Sequence, residues 1–216
     1  MVTLLRLAGD FPAVADATQP VVLLRRGDQP GGEGVEIAHA LRSRLNQREA
    51  ADSGGRFVAG DAVWHLPVVE FDHAPQPGDV IVDGDGARWT VLEAQLVALR
   101  TRWRCVARNL ALRYGLDDTV TILAADCAKQ PGGAAEPTWS VWRTGVRARI
   151  EPAEVVPRLA GGARRAAVRC RMLVEQQLWL DHRHRIRAAD GALYRVVRTS
   201  AARLGEPATI DLEREA

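Results

Sequence analysis

Two stretches of this sequence recur at one spacing, and that constrains the fold more than any other feature. Leu41-Arg42-Ser43-Arg44-Leu45 with Glu49 matches Val146-Arg147-Ala148-Arg149-Ile150 with Glu154, 105 residues on. Ile81, Asp85, Gly86, Ala87, Trp89 and Val91 match Ile186, Asp190, Gly191, Ala192, Tyr194 and Val196 at the same 105. Separated matches in one register are the mark of a duplicated unit. A looser match relates 21–32 to 120–133, both ending Gln-Pro-Gly-Gly, at a spacing of 101, which a four-residue change of loop length explains. The units read as 18–116 and 117–216, preceded by an N-terminal arm, 1–17. They join through Tyr114-Gly115-Leu116-Asp117-Asp118, a short polar turn and not a flexible linker. In a chain of 216 residues, 47% hydrophobic, each half is long enough to bury its own core. A whole domain is therefore duplicated, not one dependent repeat of a solenoid.

Period-two alternation dominates both halves, as in strands with one buried face. Ile37, His39, Leu41, Ser43 and Leu45 are expected to share a face, as are Trp142, Thr144, Val146, Ala148 and Ile150. Further strands are predicted over 63–71 and 168–180, with Pro67 drawing the first toward a sheet edge or a bulge, because proline has no N–H for the ladder. Val80-Ile81-Val82, Asp83-Gly84-Asp85-Gly86 and Trp89-Thr90-Val91-Leu92 read as strand, glycine turn and strand, and Ala189-Asp190-Gly191-Ala192 repeats the turn. Closing strands are expected at 103–112 and 208–212, and short helices at 49–52 and 153–160. Five or six short strands per unit make the fold class all-β: two tandem small barrels or sandwiches.

The charge balance, 29 basic against 27 acidic residues, gives no whole-molecule field that would draw in nucleic acid or an anionic membrane. Lys129 is the one lysine, so the positive charge is arginine; that could suit recognition of phosphate or carboxylate, but a GC-rich coding sequence is the favoured reading. Cys105, Cys127 and Cys170 are odd in number and far apart, which fits small buried apolar residues in a reducing compartment and neither a disulfide framework nor a C-x-x-C motif. The apolar runs are too short and too interrupted for a membrane-spanning helix. The arm carries Asp10 and Asp16 and does not have the pattern of a signal peptide. A soluble cytoplasmic protein without a membrane partner is expected, its arm docking through Leu4, Leu5, Leu7, Phe11 and Val14 on its own barrel or on a neighbouring subunit.

Residues that could carry chemistry have simpler readings. Asp83-Gly84-Asp85-Gly86 alternates carboxylates as a calcium loop does, but no further ligands follow and the second half keeps only Asp190-Gly191, so it reads as a hairpin turn. In Asp181-His182-Arg183-His184 two imidazoles at i and i+2 would share a strand face, yet no third ligand is evident, His39, His65 and His73 lie in the other half, and the flanking arginines oppose a cation. No serine or cysteine sits in a nucleophile motif. Gly31-Gly32-Glu33-Gly34 lacks the Lys-Ser/Thr ending of a phosphate loop. No catalytic residue, cofactor or metal site is expected, and the chain reads as a non-enzyme. What remains is basic: Arg100, Arg102, Arg104 and Arg108 around Trp103, on one face if the segment is a strand, and Arg164, Arg165, Arg169 and Arg171 in the second half. Such rows can track a nucleic-acid backbone or meet an acidic protein surface.

The order of features resembles that of tailed-bacteriophage head-tail joining and head-completion (connector, stopper) proteins. It runs from a Val-rich strand with Leu23-Leu24-Arg25-Arg26 through a Gly/Pro loop and the Leu41–Leu45 strand to Pro77-Gly78-Asp79-Val80-Ile81 and the Gly86-Ala87-Arg88-Trp89-Thr90-Val91 hairpin. Residues 78–91 match best. The second half matches through Asp190-Gly191-Ala192-Leu193-Tyr194-Arg195-Val196, with 182–185 replacing the Pro-Gly-Asp that opens the segment. The resemblance spans about 95 residues of each half and brings no catalytic residues. It implies a small-barrel virion protein of the neck, a homo-oligomeric ring below the portal that contacts portal or adaptor and tail proteins and, non-specifically, channel DNA. It implies synthesis in the host cytoplasm and residence in the virion. The duplication would let one subunit bridge two ring positions or two layers. Two other readings remain open: a tail-completion or tail-terminator protein, and a nucleic-acid-binding barrel module that acts alone.

Overall fold

A computed structural model of the protein describes Phe11 and residues 15–26, 34–70, 72–97, 99–126, 137–160 and 163–215, with backbone alone at 156–160 and 163–167. Most of the expected arm, Cys127 and 31–33 lie outside the described residues. The chain divides into two compact units, Met1–Arg113 and Tyr114–Ala216. Each is a closed six-stranded barrel, not a sandwich.

Unit 1 comprises β1 (Gln19–Leu24), β2 (Val35–Arg44), α1 (Gln47–Asp52), β3 (Ala62–Pro67), a 3₁₀ turn (Val68–Glu70), β4 (Val80–Val82), β5 (Arg88–Val97), β6 (Arg102–Arg108) and α2 (Leu110–Tyr114). Unit 2 comprises β7 (Asp118–Asp126), β8 (Thr138–Ala160), β9 (Ala163–Val174), β10 (His184–Arg187), β11 (Leu193–Ser200) and β12 (Ala208–Arg214). Around the first barrel the strands run β1-β2-β3-β6-β5-β4, and around the second β7-β8-β9-β12-β11-β10, which is the same order position by position. Closure removes free sheet edges. Pro67 ends β3 where β2 has already stopped pairing, at His65, and of the two partner strands only β6 continues alongside it, so the proline falls on a locally unpaired side of the strand.

The pairing registers show where the duplication is kept. Ile81 pairs with Trp89 and Ile186 with Tyr194, and both barrels carry a bulge on the following strand, after Val91 and after Val196. This half of each barrel holds the 105-residue spacing. The other half does not. Trp64 pairs with Cys105 and Met172 with Ile210, so β9 follows β3 by 108 residues; Leu23 and Ile122, opposite Ile81 and Ile186, are 99 apart. The match of Leu41–Leu45 with Val146–Ile150 is thus three residues out of structural register, and the spacing of 101 in the first strand is two out. A period-two pattern resembles itself at several shifts, but an odd shift exchanges the faces of a strand. The true equivalents are Ala40 and Ala148, both fully buried.

The same irregularity corrects the expected shared faces. In β2 the register shifts between Ile37 and Ala40, so Ile37 and Ala40 point inward while Leu41 is half-buried and Ser43 exposed. In β8, Gly145 takes φ +69°, a conformation that costs other residues, and the strand bulges there. Val146 and Ala148 therefore face the core, while Trp142 and Thr144 are exposed.

Inside unit 1, Trp64 and Trp89 meet edge to face at 6.0 Å among Leu23, Ile37, Leu66, Ile81 and Val91. Met172 and Tyr194 take the equivalent places in unit 2, among Ile122, Ile186, Ile210 and Leu212. A second, smaller core lies outside the first barrel: Leu45, Phe57, Val63, Leu92 and Val106, with Ala50 of α1 packed on it. Asn46 caps α1 by accepting the Arg48 N–H at 2.9 Å. The connection from β2 to β3 is therefore a lid on the outer face of the sheet.

Unit 2 makes this connection differently. The expected helix at 153–160 is strand: β8 and β9 continue as one ribbon, from Pro152 paired with Cys170 to Ala160 paired with Ala163. Beneath the position of the lid, Val63, Leu92 and Val106 are replaced by Arg171, Val197 and Asp211. Val197 is 49% exposed where Leu92 is 3%. With no lid over them among the described residues, two of these three outward positions carry charge and the third is exposed. Two other boundaries also move: β6 ends at Arg108 and 110–114 is helical, and β9 runs 163–174 with no strand assigned at 175–180.

Candidate interaction surfaces

The β6 arginines divide once the lid is in place. Arg100 is not on a strand but in the turn before it, with φ +63°. Arg102, Arg104 and Arg108 do share the outward face, since Cys105 and Ala107 point into the barrel. Arg104 is bound to Glu49 of α1 through Nη2, at 2.6 and 2.7 Å. Arg108 holds Asp61 in a fork, Nε to Oδ1 and Nη2 to Oδ2, both 2.8 Å, and donates to the Arg56 carbonyl at 3.1 Å. With the Asp61 side chain 0% and Arg108 11% exposed, this pair fastens the lid to the sheet. Arg102 stacks on Phe11, 5.1 Å from the ring centre, and Phe11 is buried beside His65, so this part of the arm packs on its own unit. Burial and the neighbouring Arg102 and Arg104 push the His65 pKa down to about 4.

In unit 2, Arg169 pairs with Glu154 at 2.9 Å across the ribbon. Arg171 is exposed, and Arg164 and Arg165 stand opposite Leu159 and Arg158 in the backbone register, their side chains outside the described set. From Val155 to Val174 the sequence has five arginines and no carboxylate.

The carboxylates of the two candidate metal motifs are engaged in hydrogen bonds within the chain. Asp83 is buried and accepts from the Asp85 and Ala87 N–H groups, from Trp89 Nε1 at 3.0 Å and from Arg42 at 3.2 Å. Its oxygens organise the β4–β5 turn and hold the core tryptophan. His184 bonds Asp181 at 2.8 Å and lies against Trp142, while His182 stands in a turn and not on a strand. Asp181 is held at about 2, first by the Arg183 backbone N–H and further by the His184 and Arg183 side chains. Among the described residues no group of three or more His, Cys, Asp or Glu is arranged to hold a metal ion. Burial raises both described thiols, Cys105 to about 12, which suits packing and not nucleophilic chemistry.

A groove of about 740 Å³ crosses the outer face of β4, β1 and β2. Pro20, Val22, Ala38 and Val82 give it an apolar floor, and Glu36, Glu70 and Asp83 are its carboxylates; among the described residues no arginine or lysine lines it. Glu70 is fixed by His39 Nδ1 at 2.7 Å, and Glu36 is exposed with no ion pair to a described residue. Sequence reasoning missed this groove, because its residues come from three strands and two turns that closure brings together. Compared with protein-family models and with curated protein sequences, the chain matches none. Among the described residues, no helix is long and apolar enough to cross a membrane.

Proposed function

We propose that this chain is a structural virion protein of the tailed-phage neck, a subunit of a ring that joins head to tail around the DNA channel, without chemistry of its own. The observation that carries the reading is the tandem of two closed barrels of one strand order, each retaining the glycine-turn hairpin on which the resemblance to head-completion proteins rests. Two barrels in one chain suit a subunit that presents two similar surfaces to neighbours. The saturated Asp83 and Asp181 clusters and the buried thiols fit a protein whose polar groups serve structure.

On this reading the ring contacts portal or adaptor subunits above and tail subunits below, and touches DNA without base specificity. Arg104 and Arg108 are committed to the lid, so DNA or protein contact by the basic residues falls to Arg100 and Arg102 and to the β9 set, Arg164, Arg165, Arg169 and Arg171. The test is the mass of the purified protein by light scattering, with electron microscopy of particles that contain it. A ring, or density between capsid and tail, supports the proposal. A monomer that binds duplex DNA with steep salt dependence favours the stand-alone nucleic-acid module instead.

A further inference from the structure

Among the described residues, no strand of its own unit accompanies the β8–β9 ribbon once it leaves the barrel. β7 accompanies β8 no further than Ala148, and β12 accompanies β9 only from Arg169 onward. Beyond these points a two-stranded ribbon continues to Ala160 and Ala163. Such a ribbon is marginal by itself in water, and exposed strand edges recruit partners. Pro152 and Pro157 remove two N–H donors from β8, so edge-to-edge strand addition is hindered there and contact through the ribbon's faces is favoured. The register gathers Arg158, Arg164 and Arg165 within the last three pairs before the turn, alongside Leu159. Val155, at its base, is 67% exposed.

The surface that suits this arm is on the other unit. The groove over β4, β1 and β2 has an apolar floor and carboxylates at Glu36 and Glu70, the complement in charge and polarity of a ribbon that mixes apolar residues with arginine. We propose that the β8–β9 arm of one copy seats in the β4–β1–β2 groove of a second copy. Arm and groove lie on different units, so the contact is head-to-tail, the kind that closes into a ring or extends into a filament. A nucleic-acid backbone would satisfy the arginines but leave the exposed Val155 uncovered. The proposal deepens the ring reading and rests on it only in requiring self-assembly.

The test uses the full chain in sedimentation velocity over a range of concentrations. Wild type is expected to assemble. Arg164→Glu with Arg165→Glu in the arm, and separately Glu36→Arg in the groove, are each expected to raise the midpoint concentration of assembly about tenfold or more. Both variants sit on exposed or projecting segments, and circular dichroism and the thermal transition should match wild type. An equimolar mixture of the two variants, or all three changes in one chain, should assemble again, because the reversed charges fit each other. Assembly indifferent to both variants, or lost without rescue on mixing, overturns the arm-and-groove contact while leaving a ring in place. A wild type monomeric at every concentration overturns both. Arm variants that change only the binding of a labelled DNA duplex, with assembly untouched, assign the arm to nucleic acid and overturn the proposal.

Discussion

Removing the Arg108 side chain should unfasten the lid of unit 1. In Arg108→Met the Asp61 carboxylate, 0% exposed, loses both of its 2.8 Å charge-assisted bonds and, among the described residues, keeps the Val58 N–H at 2.9 Å. Leaving one member of a buried ion pair uncompensated costs about 3–5 kcal/mol. The Arg56 carbonyl also loses a donor, so the upper part of that range is expected. In Arg108→Met with Asp61→Asn the buried charge is gone and the amide oxygen still accepts from Val58, and the loss should shrink to about 1–2 kcal/mol. The assay is hydrogen exchange by mass spectrometry, which separates the units. Peptides of β3 and β6 in the single variant should open roughly 10²–10⁴-fold more readily. Peptides of β7–β12 should keep wild-type protection. A single-variant loss under about 1 kcal/mol, or a double variant no better than the single, would refute the claim that Arg108 serves the fold and return it to the set of free basic residues.

His65 gives unit 1 a particular acid sensitivity. Its folded pKa, about 4, lies below the ordinary 6.5, so the unfolded chain binds the proton more readily: the contribution is complete above pH 6.5 and is lost as pH falls toward 4. Solvent screening around a half-buried ring keeps it to about 1–2 kcal/mol, and His65→Phe should flatten urea-midpoint profiles over that window. Asp83→Ala should cost about 2–4 kcal/mol by stranding the buried Trp89 Nε1–H and the turn amides, and should shift tryptophan emission. Asp83→Asn should recover much of the loss, since an amide oxygen still accepts. Gly145→Ala should cost about 1 kcal/mol in the thermal stability of unit 2, because nothing crowds a Cβ there and only the φ of +69° is unfavourable.

Much of the architecture was legible because it depends on local chemistry. The Asp-Gly turns flanked by β-branched and aromatic residues specify the β4–β5 and β10–β11 hairpins, and their 105-residue spacing is preserved in the pairing. What misled was an apolar alternation on opposite faces: Leu41–Leu45 resembled Val146–Ile150 at an odd shift of three, yet Leu45 is buried in the outer core under α1 while Val146 and Ala148 face the barrel interior. The helix expected at 153–160 is strand, because β8 and β9 go on pairing with each other as far as Ala160 and Ala163. The rows of arginine on β6 and β9 look alike in one dimension and differ in three. Asp61 and Glu49 arrive from 47 and 55 residues away in sequence to neutralise the first, whereas in the second Arg169 and Arg171 stay beside β12 and Arg164 and Arg165 project on a ribbon.

The sequence by itself determined that this chain is a duplicated all-β protein, because turn chemistry and alternation act between near neighbours and are written locally. Only the tertiary structure decided which arginines are fasteners, which carboxylates line a groove and which strands outrun their barrel. These depend on barrel closure and on strand register, which bring distant residues to one surface, and a shift of a single residue moves a side chain from core to solvent.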